Sequence, residues 1–170
     1  MIALYICIMT AIIIREIEAS DNKELAQIIR SSLKEFGADR PGTVYYDATT
    51  DALYELFKEK NSVYYVAEQD GVLLGGVGIF PSNGLPDDTV ELVKMYLRPQ
   101  ARGLGLGKRL IEKALQFARQ SGFQRVYIET MPELEQAMRV YEKFGFEYLT
   151  GPMGQTGHTG CSKWMLKKLA

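Results

Sequence analysis

A run of strand character ends at Leu97, and the chain then reads Arg98-Pro99-Gln100-Ala101-Arg102-Gly103-Leu104-Gly105-Leu106-Gly107-Lys108-Arg109 before apolar residues at helical spacing take over. This junction narrows the folds open to the chain more than any other stretch. A strand that feeds a helix in this way belongs to an α/β arrangement, because the helix must pack back onto the sheet it has left. The alternating glycines let a ligand come close to the main chain. The first turn of the helix presents N–H groups with no partner inside the helix, and its dipole favours negative charge there. Arg102, Lys108 and Arg109 place cations beside these groups, so the segment is predicted to cradle phosphate. Two familiar phosphate loops fail on spacing: a P-loop needs glycine where Arg102 stands and Ser or Thr where Arg109 stands, and a dinucleotide fingerprint needs Gly-x-Gly-x-x-Gly.

Around this junction the sequence alternates helix and strand patterns. A strand is expected at Ile12-Ile13-Ile14. A helix starting at Ser20-Asp21 follows, carrying Leu25, Ile28, Ile29, Leu33 and Phe36 until Gly37 stops it. The stretch 38–49 has no clear period, and a second short helix is expected over 51–60. Strands over 62–68 and 72–80 are joined by Gln69-Asp70-Gly71, a hairpin turn. A strand over 89–97, a helix over 105–120, a strand over 125–130, a helix over 133–144 and strands near 146–149 and 162–166 complete the pattern. The expected fold is therefore α/β (α+β), with a mixed sheet carrying helices on both faces. No linker divides the 170 residues, which are read as one domain with 1–9 as a candidate N-terminal extension and Met9 as an alternative start.

Composition bounds the partners. A net charge of −1, from 20 basic and 21 acidic residues, gives no electrostatic footprint for nucleic acid or an anionic membrane. Cys7 and Cys161 are too few and too far apart for a disulfide framework, and no Cys/His spacing suggests zinc, so no metal is expected and a reducing cytoplasm suits the chain. The apolar start, 1–14, has no basic residues before it and no cleavage pattern after it, and it is short of the roughly 20 residues a membrane span needs.

From Glu91 to Phe146 the sequence resembles the GNAT superfamily of N-acetyltransferases. The superfamily's Gln/Arg-x-x-Gly-x-Gly/Ala motif fits twice, from Gln100 through Gly105 and from Arg102 through Gly107. Met95-Tyr96-Leu97-Arg98-Pro99 is similar to the family's strand leading into that loop, and Ala137-Met138-Arg139-Val140-Tyr141-Glu142-Lys143-Phe144-Gly145-Phe146 to its later Ala-x-x-x-Tyr-x-x-x-Gly-Phe segment. The family often has Asn seven residues before that tyrosine; this chain has Leu134.

The resemblance implies a mostly antiparallel sheet splayed at its fourth and fifth strands, with acetyl-CoA as cosubstrate entering the splay. It implies coenzyme contacts at Met95, Leu97, Arg102, Gly103, Leu104, Gly105, Leu106, Gly107 and Lys108. Tyr141 takes the position of the general acid and Glu91 that of a general base. Strand alternation puts Glu91, Val93, Met95 and Leu97 on one face, where apolar neighbours would desolvate the carboxylate. Glu129 and His158 are competing bases, the latter in the glycine-rich tail Gly151-Pro152-Met153-Gly154-Gln155-Thr156-Gly157-His158-Thr159-Gly160-Cys161, which local preference leaves unconstrained and which could close over an acceptor. Cys161 is expected to be a small core residue, and Tyr45, Tyr46 and Tyr54 either line an acceptor pocket or pack in the core. The expected acceptor is an amine-bearing small molecule or peptide, with a homodimer left open. The alternative function is an inactive acyl-CoA-binding sensor.

Overall fold

The computed structural model describes residues 11–169, so Cys7, the 1–9 extension and the alternative start lie outside the described residues. Seven strands form one sheet: β1 (Ile13–Glu16), β2 (Val63–Gln69), β3 (Val72–Phe80), β4 (Thr89–Leu97), β5 (Arg125–Thr130), β6 (Glu147–Tyr148) and β7 (Lys163–Lys168), in the order β1-β2-β3-β4-β5-β7-β6. Every neighbouring pair is antiparallel except β4 and β5, which run parallel. The helices are α1 (Asn22–Glu35), the single turn α2 (Leu53–Leu56), α3 (Leu106–Gln120) and α4 (Glu135–Lys143).

Two cores follow from the two faces of the sheet. Leu106, Leu110, Ile111, Ala114, Leu115 and Ala118 recur at helical spacing on α3 and are buried against Val77, Ile79, Val90, Leu92, Val126 and Ile128. On the opposite face Leu25, Ile28, Ile29 and Leu33 of α1 pack with Leu53, Phe57, Tyr64, Val66 and Leu73. The chain enters α1 through Asp21, whose carboxylate accepts the Glu18 N–H at 2.7 Å and pairs with Arg15. The β2–β3 hairpin turns at Asp70 and Gly71, both at positive φ, as an Asp-Gly turn requires.

The short helix expected over 51–60 is cut down. A 3-10 turn at Ala48–Asp51 precedes α2, and beyond Phe57 the hydroxyl of Ser62 donates to the carbonyls of Phe57 and Glu59, at 3.1 and 2.6 Å. Such local side-chain bonds offer the backbone an alternative to the helix. Likewise Pro132 opens a 3-10 turn, Pro132–Leu134, and α4 begins only at Glu135.

Two features of β4 shape what lies beyond it. It pairs with β5 only over Thr89–Glu91, against Arg125–Tyr127, and the strands then part, giving the expected splay. Against β3 its register runs from Gly78↔Val93 to Gly76↔Tyr96, so Lys94 and Met95 together oppose Val77; Lys94 sits at φ 50. That is a β-bulge. No helix among the described residues is long and apolar enough to cross a membrane.

Candidate active site

A cleft of about 700 Å³ occupies the gap where β4 and β5 part. One end lies at the start of α3. Gly103 and Gly105 both have φ 75, and a Cβ built at either would meet nothing within 4 Å, so it is the left-handed backbone, not crowding, that asks for glycine there. Gly105 is the N-cap of α3 and no side chain caps the helix, which leaves its first amides directed at the cleft. Gly103, Gly105, Gly107 and Lys108 line this end. Leu106 is buried in the core, so at that position only the backbone is available to a ligand, whereas Leu104 is 70% exposed.

The cations of the motif divide. Arg102 is bound twice to Glu35, at 2.7 and 2.9 Å, donates to the Leu97 carbonyl at 3.1 Å and lies 5.0 Å over the Phe36 ring, which ties the loop to α1. Arg109 donates to the Ile12 carbonyl at 3.0 Å. Lys108 is exposed, with Glu112 at 3.7 Å, and Lys143, also on the cleft, makes no ion pair among the described residues.

Along β4 the expected single face for Glu91, Val93, Met95 and Leu97 is not observed. The bulge at Lys94 inverts the alternation: Val93 packs with the α1-side core, Met95 and Leu97 with the α3-side core, and Tyr96 with the α1 side. Tyr64 supports the bulge by donating its hydroxyl to the Lys94 carbonyl at 2.9 Å. The Lys94 side chain, 4% exposed, reaches Asp47 at 2.8 Å.

At the other end of the cleft the three candidate bases are neighbours. Glu91, Glu129 and His158 each bring a donor atom within 4.8 Å of the other two, the one group of potential metal ligands of this kind among the described residues. Glu91 is 2% exposed, and burial, the largest influence on it, pushes its carboxyl up to about 7 although Ser82 donates a short hydrogen bond to it. Glu129 accepts from Tyr127 at 2.8 Å and from Thr156 at 2.6 Å. His158 faces Glu129 through Nδ1 at 3.8 Å and Asp47 through Nε2 at 3.0 Å. The hydrogen bond with Asp47 raises the pKa of His158, with burial opposing. Burial alone would raise Asp47, but His158 and Lys94 outweigh it and hold it at about 2.

Tyr141, buried on α4, lines the same cleft with its ring edge-on to Phe146, and burial raises its hydroxyl pKa further. No described group hydrogen-bonds that hydroxyl. Cys161 also lines the cleft; burial pushes its thiol up to about 12, which keeps it protonated. Leu134 presents an apolar side chain to the cleft. Of the tyrosines expected near an acceptor, Tyr46 is 63% exposed and edge-on to Tyr45, and Tyr54 lies under Lys58; it is Val44 that reaches the cleft.

Sequence reasoning missed Asp47, Ser82, Lys94, Tyr127 and Thr156. Asp47 lies in a stretch without period, and Lys94 reads as an ordinary outward residue of a strand.

Known proteins resemble this chain in sequence and in fold. Residues 25–146 match the model of the acetyltransferase (GNAT) family. The chain is 40% identical over 159 residues to the uncharacterized N-acetyltransferase YjgM of Escherichia coli (strain K12), which covers 92% of this chain and 95% of that protein. In fold it is similar to an acetyltransferase of the GNAT family from Staphylococcus aureus Mu50, with TM-score 0.82 at 20% identity over 94% of this chain and 100% of that one. It is likewise similar to the PaiA N-acetyltransferase of Thermoplasma acidophilum, solved in complex with coenzyme A, with TM-score 0.74 at 19% identity over 94% and 100% of the two chains. With a family model spanning most of its length and this identity to an N-acetyltransferase, the chain belongs to the GNAT family of acetyltransferases.

Proposed function

We propose that the protein transfers the acetyl group of acetyl-CoA to a primary amine by direct attack, in the cytoplasm that its thiol content suits. The observation that carries this reading is one continuous cleft with uncapped helix amides at one end and a buried carboxyl group of raised pKa at the other, with Tyr141 on its wall. The pyrophosphate of the coenzyme sits on the amides of 103–108 at the start of α3, with Lys108 and Lys143 beside it. Arg102 serves by holding the loop. The pantetheine arm runs along the free edge that β4 exposes after Glu91, past Met95 and Leu97, as an added strand would.

An alkyl ammonium ion has a pKa near 10.4, so it must lose a proton before it can attack. Glu91 takes that proton, directly or through one water. The nitrogen lone pair then forms a bond to the thioester carbon, and the carbonyl electrons move to oxygen, which the backbone N–H near Met95 stabilises. Collapse of this intermediate breaks the C–S bond. The departing thiolate takes the proton of Tyr141, which recovers one as the new amide sheds its surplus, so one proton is released in all.

Release of free thiol from acetyl-CoA in the presence of an amine, with the acetylated product identified by mass, tests the reading. Thermal stabilisation by acetyl-CoA without release of thiol across a broad panel of amines would replace it with the coenzyme-sensor alternative.

A further inference from the structure

Two loops meet above the acceptor end of the cleft. The segment 37–47 and the glycine-rich segment 151–161 touch where the Gly160 N–H donates to the Gly42 carbonyl at 2.8 Å. A Cβ on Gly42 would fall 2.5 Å from the Thr159 hydroxyl and 2.8 Å from the Gly160 nitrogen, so the two segments meet too closely for any side chain at 42. Arg40 reaches Glu133 at 2.6 Å across the rim, and Asp47 joins His158 beneath it. At its other end the glycine-rich segment is held by the Gln155 N–H on the Asn83 carbonyl at 2.8 Å. The tail that local preference leaves free is thus fastened by tertiary contacts, and it roofs Glu91 and Glu129.

The charges under this roof are unevenly matched. Lys94 is bound to Asp47, His158 to the same carboxylate, and Arg40 to Glu133. No other Lys, Arg or His occurs in 37–47 or 151–161. When Glu91 is ionised to act as base, three carboxylates, Asp47, Glu91 and Glu129, face one ammonium and one imidazole, which leaves negative charge in excess. Of the less committed cations, Lys108 stands on the first turn of α3 at the coenzyme end, and Lys143 on the last turn of α4, the end of that helix away from Glu133 and the roof. The cleft is therefore polarised along its length, basic where phosphates are expected and acidic where the acceptor enters.

We propose that the acceptor is a small amine carrying no carboxylate, phosphate or other anionic group, because every cation at the acceptor end is already bound to a carboxylate and the excess charge there is negative. This inference rests on the acetyl-transfer reading above. A cationic or neutral amine gains from the excess negative charge. An acceptor carboxylate meets three like charges and no free partner, and juxtaposed like charges disfavour binding strongly. Asp47 is the specificity-determining residue: it withholds Lys94 and His158 from a substrate anion.

The test uses matched pairs of acceptors with the full chain and acetyl-CoA: n-butylamine against γ-aminobutyrate, and phenethylamine against phenylalanine. The amine of each pair is expected to exceed its carboxylate-bearing analogue in kcat/KM by roughly tenfold or more, which a single disfavoured charge contact readily produces. Asp47→Asn leaves an amide oxygen to accept from Lys94 and His158 but removes the negative charge that offsets theirs, so the ratio should move toward parity, chiefly through a lower KM for the carboxylate-bearing member. Equal or better turnover of the carboxylate-bearing analogues by the wild type overturns the inference while leaving acetyl transfer intact. So does an unchanged ratio in Asp47→Asn that still binds acetyl-CoA. If that variant does not fold, the wild-type pairs decide. Absence of thiol release with every amine refutes the acetyl-transfer reading and this inference with it.

Discussion

In Glu91→Gln the side chain keeps its shape and its hydrogen bond from Ser82 while losing the charge that burial penalises. Burial raises the Glu91 carboxyl from its ordinary 4.5 to about 7. Between these values the folded protein holds a proton that the unfolded chain has released, so the raised carboxyl supports the fold at low pH and that support is lost as pH rises through about 7. At roughly 1.4 kcal/mol per unit, the loss amounts to about 3 kcal/mol once the folded group is fully ionised. Glutamine never ionises. The variant should therefore match the wild type near pH 4, below the unfolded value, and exceed it by about 3 kcal/mol near pH 9, or roughly 6–12 °C in Tm for a domain of this size. Urea unfolding of both proteins across this range measures the difference. Turnover moves the other way: the wild-type rate climbs with pH through about 7, and the variant loses both that limb and most of its rate at neutral pH. A stability difference that is independent of pH would refute the burial argument for Glu91, and an unaltered pH–rate profile would move the base to Glu129 or His158.

Tyr141→Phe preserves the packing on Phe146 and removes the proton donor, so kcat should fall about 10²-fold with coenzyme affinity unchanged; turnover equal to wild type in a chemistry-limited assay would leave Tyr141 as a core residue. Gly105→Asp places a carboxylate, on a backbone at φ 75, against the helix amides and should abolish the rise in Tm caused by acetyl-CoA, which at 100 times Kd corresponds to about 2.7 kcal/mol; a folded variant that is stabilised as much as the wild type would show that the phosphates sit elsewhere.

The legible parts of the fold are those that local chemistry governs. α3 and β5 end where sequence patterning places them because Gly122 and the apolar runs mark their limits, and the Asp70-Gly71 turn is set by two residues. The bulge was not legible. Lys94 carries no turn signal, and only the hydroxyl of Tyr64 and the carboxylate of Asp47, distant in sequence, show why a lysine is held at positive φ inside a strand. The site was legible as a set of residues and illegible as an arrangement. Glu91, Glu129 and His158 come from β4, β5 and the glycine-rich segment, and nothing in their spacing says that they meet. Arg102 illustrates the converse, since its place in the motif suggests a phosphate partner while the fold supplies Glu35.

The two fastenings of the glycine-rich segment, at Gln155 on Asn83 and at Gly160 on Gly42, are made by main-chain atoms. Between them the side chains of Thr156 and His158 bond to Glu129 and Asp47 inside the site, so a change of identity there alters the acceptor end while the two main-chain anchors stay. Such a segment behaves as an exchangeable cassette. Descendants of one ancestor can diverge in the amine they accept by drift within a few consecutive codons, and a designer can graft a different 156–159 sequence onto the same anchors, with the coenzyme end and the sheet left untouched.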